Sequence, residues 1–217
     1  MRSRFENQLV SLNKNLTLMG GLCEEVLATS VQLLQEGTAP AGEPAPEIYQ
    51  KIESFEREIE EQCLKLLLRQ QPVAKDLRRI SAALKLVYDM KRIGAQATEV
   101  SEIVNQGNIQ QGEEGSERLV HLVNLVVNMV TLSIDAFVRD DLELAHQVIQ
   151  KDQTVDQEFD IIKKELMIYC SGSQVDGEHA IAVLMVAKYL ERIGDHAVNI
   201  AKWVIFSITG QLDGDEE

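Results

Sequence analysis

Proline is scarce and confined to one end: four residues in 217, at Pro40, Pro44, Pro46 and Pro72, with none from Val73 to Glu217. A stretch of that length without proline is free to build long helices. Aromatic residues make up only 5%, which leaves β-strands with little support. The three cysteines, Cys23, Cys63 and Cys170, are odd in number, far apart and set in apolar patterns. That excludes a disulfide scaffold or a thiolate zinc cage, and predicts three buried thiols in a reducing compartment. Basic residues are in deficit, 21 Lys and Arg against 35 Asp and Glu for a formal net charge of −14, and such a field excludes a nucleic-acid partner. Long apolar runs are missing too. The most apolar one, Leu122 to Val130, is interrupted by Asn124 and Asn128, so no membrane insertion is expected. The opening residues lack the apolar core of a secretion signal, which predicts a cytoplasmic protein. No glycine-rich phosphate loop with its lysine occurs, because Gly20-Gly21 lies inside a helical pattern, and nucleotide or kinase chemistry is excluded.

What is present is helical periodicity. Apolar residues recur at spacings of three and four: Leu9, Leu12, Leu16, Met19, then Ile52, Phe55, Ile59, Cys63, Leu66. Four further segments follow the same rule, around Ile80–Val104, Leu119–Phe137, Val148–Leu166 and Val183–Val204. Turn chemistry separates them at Gly37–Pro46, Gln70-Gln71-Pro72, Gly107–Gly115, Asp140-Asp141 and Ser171–Gly177. The fold class predicted is all-α: two tandem antiparallel three-helix bundles, residues 1–108 and 109–217, built from six helices of roughly 20 to 35 residues. An internal repeat supports the division. Shifted by one hundred positions and without a gap, Arg92-Ile93-Gly94 falls on Arg192-Ile193-Gly194, Leu66 on Leu166, Glu56 on Asp156 and Glu60 on Asp160.

Carboxylates are spaced four apart on two of these helices: Asp152, Asp156 and Asp160 on the fifth, Glu191 and Asp195 on the sixth, with Asn199 one turn further along. That spacing stacks side chains on one helical face, and like charges so arranged repel unless solvated or bridged by a cation. Each ladder is offset by about 100° from the apolar stripe, so in an antiparallel pair both could line one groove. Oxygen-only ligands suit Mg²⁺, Ca²⁺, Mn²⁺ or iron. A solvated acidic face is the competing reading. One Glu-x-x-His, Glu143 with His146, falls short of the two copies a di-iron site requires, and His121, His179 and His196 supply no second; no catalytic set emerges and the chain is not expected to be an enzyme. His196 points about 100° away from Asp195 and is expected to pack. Arg92 and Arg192 are expected to clasp carboxylates of a neighbouring helix. Gly94 and Gly194, each costing about 1 kcal/mol inside a helix, imply close helix approach or room for a ligand. Trp203 is expected at a bundle end or a dimer contact.

The segment Tyr189-Leu190-Glu191-Arg192-Ile193-Gly194-Asp195-His196-Ala197-Val198-Asn199-Ile200-Ala201 closely resembles the signature of the PhoU family of phosphate-signalling regulators, as does Arg69-Gln70-Gln71-Pro72-Val73-Ala74-Lys75-Asp76-Leu77-Arg78. The resemblance extends over the whole chain, from Arg4-Phe5 onwards. It implies tandem three-helix bundles, metal clusters in some members at a repeated acidic motif, and negative regulation of phosphate uptake and of the phosphate-starvation response. Partners implied are the ATPase of the phosphate ABC transporter and a phosphate-sensing histidine kinase. The first half departs from the motif, with Lys91 and Ala95 where Glu and Asp would stand. Lys91 facing Glu56 or Glu60 predicts an ion pair and a metal-free first bundle, leaving any metal to the second. A homodimer is expected. The alternative reading is a metal-binding or metal-storage carboxylate bundle; a purely structural spacer would leave the two Arg-Ile-Gly copies unexplained.

Overall fold

The computed structural model describes residues 2–37, 42, 44–70, 72, 74–109, 112, 115–173 and 175–211. Half of the Gly37–Pro46 linker, Gln71 and Val73 of the first motif, and part of the Gly107–Gly115 link lie outside them. Six helices account for nearly all of the rest: α1 (Arg2–Glu36), α2 (Ala45–Gln70), α3 (Lys75–Asn105), α4 (Ser116–Arg139), α5 (Leu142–Cys170) and α6 (Gly177–Thr209). Their ends follow local chemistry. The carboxylates of Asp141 and Asp176 cap α5 and α6 by accepting from the backbone N–H groups two and three residues on. Gly210, at φ 82°, terminates α6 in the left-handed conformation that glycine adopts without strain.

Each half is a three-helix bundle in which every helix touches the other two. The halves join through α1 against α4 and α3 against α6, so α2 and α5 are outer flanks that contact only their own half. Contacts between Lys85 and Trp203 and between Asp89 and Asn199 show that α3 and α6 run antiparallel. The apolar stripes meet in one core that runs through all six helices without a break, from Leu12 and Leu16 to Ala201 and Val204. Burial of that continuous surface is the main stabilising term.

Three expectations change. By length and composition α4 is apolar enough to cross a bilayer, yet half of that stretch is buried within the fold, the pattern of a core helix. Cys23 and Cys63 are buried, their thiols pushed up to about 12 by desolvation, whereas Cys170 is exposed. Cys170 is the last residue of α5, beyond the reach of the core. Trp203 sits in the seam between halves, edge-on to Phe206 with ring centroids 5.7 Å apart and the Lys85 ammonium 5.9 Å from its own; the apolar face of α6 carries it there and not to a bundle end.

Candidate functional site

The face between α5 and α6 brings most of the predicted carboxylates together. Val155 and Leu190 are buried, and the ladders rise from the edges of the stripes they belong to. Asp152 is partly buried, and its carboxyl is pushed up to about 6 by desolvation and by the negative charges of Asp156, Asp195 and Glu191. Asp195 is raised in the same way, by desolvation first and Glu191 second. Glu191 accepts from Lys188 at 2.6 Å. Gly194 leaves a space here: a methyl group at its Cα would lie 3.7 Å from an Asp152 carboxylate oxygen. Asp152, Asp156, Glu191 and Asp195 thus share one electrostatic neighbourhood of oxygen donors.

Asp160 and Asn199 do not join it. Asp160 is exposed and hydrogen-bonded by Lys163 at 2.6 Å, which holds it below the usual carboxylate range. Asn199 turns towards the other half and donates to Asp89 at 3.4 Å. Among the described residues no three acidic, histidine or cysteine side chains converge as a ready ligand set. The donor chemistry fits a hard cation at an open, partly hydrated surface position, and a closed cage is not formed.

The equivalent place in the first half is already neutralised. Lys91 donates to Glu56 at 2.8 Å, with Glu56 buried, while Glu60 points to solvent. The hydrogen bond from Lys91 to Glu56 holds the ammonium more firmly protonated. Gly94 here is a packing residue: a methyl group in its place would lie 2.6 Å from Ile52 Cδ1. The two Arg-Ile-Gly copies therefore carry glycines kept for different reasons. Their arginines are not clasped as expected. Both Arg92 and Arg192 lie on solvent-facing positions, and no ion pair to either is found among the described residues.

Two polar clusters escaped the sequence reading. Between the halves, His196 Nδ1 lies 2.8 Å from an oxygen of buried Asp89, and its Nε2 lies 3.4 Å from the Gln96 amide nitrogen. Gln96 is itself buried, and its Oε1 has no partner among the described residues. The signal was available: Asp89 and Gln96 stand seven apart on one stripe of α3, and a buried stripe with polar residues needs a polar partner. Across α4 and α5, Arg118 binds both oxygens of Glu165 at 2.7 Å and Glu158 at 2.9 Å. Glu143 and His146 stand exposed near the start of α5.

The arrangement has recognisable relatives. The model of the PhoU domain matches twice, over residues 16–104 and 119–204. The chain belongs to the PhoU family. A phosphate-specific transport system accessory protein PhoU homolog from Pseudomonas putida is 35% identical, over 95% of this chain and 81% of its own length. The PhoU accessory protein of Escherichia coli is 27% identical, over 98% of this chain and 90% of its own. The crystal structure of PhoU from Pseudomonas aeruginosa superposes with a TM-score of 0.85 at 34% identity, over 95% of this chain and all of that one. The phosphate transport system regulatory protein PhoU from Streptococcus pneumoniae, 22% identical with a TM-score of 0.81, covers 96% of this chain and 98% of its own and shares the fold. Both PhoU domains thus fall on the two halves just described.

Proposed function

We propose that this chain is an accessory regulator of phosphate transport that acts by docking and catalyses no reaction of its own. The observation that carries this is the PhoU match across both halves, with relatives named as accessory proteins of the phosphate-specific transport system. The finer reading is negative regulation of phosphate uptake and of the starvation response. In it the chain works in the cytoplasm as a homodimer, between the ATPase of the phosphate ABC transporter and a phosphate-sensing histidine kinase. A six-helix frame with exposed polar and apolar faces suits an adaptor. Deleting the gene tests it: starvation genes should be expressed in high phosphate. Correct repression in the deletion strain would sink the regulatory reading.

A divalent or trivalent cation, iron, Mn²⁺, Mg²⁺ or Ca²⁺, is proposed for the second half only. Asp152, Asp156, Glu191 and Asp195 would hold it, and the cation would relieve their mutual repulsion. Metal analysis of protein purified without chelator should find the ion in the wild type and lose it in Asp156→Asn with Asp195→Asn. Changing Glu56 should leave it in place. The storage alternative fares worse, since the lone Glu-x-x-His begins nine residues, or about 13 Å of helix, before Asp152; oxygen-dependent Fe²⁺ uptake by the purified protein would restore it.

A further inference from the structure

The end of the second half formed by the last turns of α5 and the first turns of α6 carries a cluster of exposed apolar side chains. Met167 and Ile168 on α5 are 63% and 74% exposed, and Ile181, Leu184 and Met185 on α6 are 66%, 40% and 42% exposed. Residues 181, 184 and 185 keep the helical spacing of three and four that elsewhere marks a buried stripe. Between the two helices lies an open groove of about 550 Å³, floored by Leu166, Met167, Ala180, Ile181 and Leu184. In the first half the end of α2 also bares apolar side chains, Leu64 at 53% and Leu68 at 81%, but Ile181 and Met185 correspond to Ser81 and Lys85, so α3 sets fewer apolar residues across from them. The bare side chains amount to apolar surface on the order of 500 Å², the upper end of what a monomer leaves uncovered.

Charge marks one end of this groove. Lys163 and Lys164 line it together with Asp160, and Lys188 lies beside them, its ammonium and that of Lys163 both over the Phe159 ring. Lys163 is shared with Asp160 and Lys188 with Glu191, while Lys164 is exposed and makes no ion pair among the described residues. The net charge of −14 acts at long range, but screening over about 8 Å at physiological salt leaves local lysines to decide what docks. Area discriminates between occupants. Two copies pairing through this patch would bury about 1,000 Å² in total, short of the 1,200–2,000 Å² of a stable dimer. An apolar groove between two helices is the kind of surface that receives the apolar face of an amphipathic helix. The flexible thioether of Met167 in the lining lets the groove adapt to the side chains it receives.

We infer that this groove binds an amphipathic helix of a protein partner, with apolar residues at i, i+3, i+4 and i+7 and carboxylates at the end that meets Lys163 and Lys164. The inference goes beyond the phosphate-regulator reading and stands or falls separately from it. Cys170 lines the groove and is the exposed thiol of the three cysteines, so an environment-sensitive fluorophore attached there reports occupancy of the full-length chain. The probe is a designed peptide with leucine at the four positions and glutamates at one end. Unlabelled protein competing for a fluorescent copy of the peptide covers the case in which the label itself blocks the groove. The expected result is saturable binding that a scrambled peptide of equal composition lacks. Ile181→Asp, at an exposed site that leaves the core intact, should weaken it at least tenfold, and Lys164→Glu several-fold. Equal binding of the scrambled peptide, or tighter binding of a lysine-ended one, overturns the inference. So does a fluorophore response to phosphatidylserine vesicles without the peptide, or to protein concentration alone.

Discussion

The two halves repeat one design with opposite electrostatics at the same place. In the first, Lys91 stands against buried Glu56 and the groove between α2 and α3 is closed by an ion pair. In the second, Lys188 forms its ion pair with Glu191, and the lysines nearby do not offset the repulsion among Asp152, Asp156 and Asp195, so that Asp152 and Asp195 are raised. One site is finished by the chain itself; the other is left charged, a cost in stability without a cation to offset it. Duplicated scaffolds keep their cores and diverge at the edges of the apolar stripes, where a substitution alters charge without opening a cavity.

The largest effect is expected from making the first half copy the second. Lys91→Glu with Ala95→Asp removes the partner of buried Glu56 and adds two like charges. Urea unfolding at pH 8 should show a loss of about 2–3 kcal/mol, partly recovered with added divalent cation if the acidic motif alone makes a site. No loss would mean that the Lys91–Glu56 pair contributes nothing.

The glycines give the next contrast. In Gly94→Ala the new methyl meets Ile52 at 2.6 Å, so overpacking of about 1–3 kcal/mol outweighs the gain of about 1 kcal/mol in helix propensity. In Gly194→Ala the nearest contact is an ordinary 3.4 Å to Val155, and thermal unfolding near pH 4 should show stabilisation approaching 1 kcal/mol. Equal behaviour of the two variants would erase the distinction between a packing glycine and a spacing one.

The smallest effect is a pH dependence. The Asp152 carboxyl titrates near 6 in the folded chain against 3.8 for its ordinary value, so the folded state binds that proton more tightly than the unfolded. Stability from this group is fully present below pH 4 and is lost as pH rises through 6. Asp152→Asn should therefore stabilise by about 1 kcal/mol at pH 8, discounted for solvent screening, and by nothing below pH 4. A gain independent of pH would assign the effect to packing.

Much of this was legible without coordinates. Proline placement and three-four periodicity gave six long helices of 24 to 35 residues, and the hundred-residue repeat identified which helices correspond. The Lys91–Glu56 pair followed from aligning one half on the other. Asp160 and Asn199 were not separable from their ladders, because four-residue spacing drifts by about 40° per step. Two such steps, about 80°, carry a residue from one neighbour to another: Asp160 turns to Lys163, and Asn199 to Asp89.

Helix content, the apolar stripes and the acidic character of α5 and α6 were set by the sequence alone, since each depends on residues within a few turns of one another, and the repeat is read by laying one half of the sequence on the other. Which stripe edge faces which helix was decided only by tertiary packing. The seam of Asp89, His196 and Gln96, the opposed roles of Gly94 and Gly194, and the exposure of Cys170 beside an unfilled groove all join residues from separate helices. Their positions depend on how six cylinders share one core, and local periodicity carries no information on that arrangement.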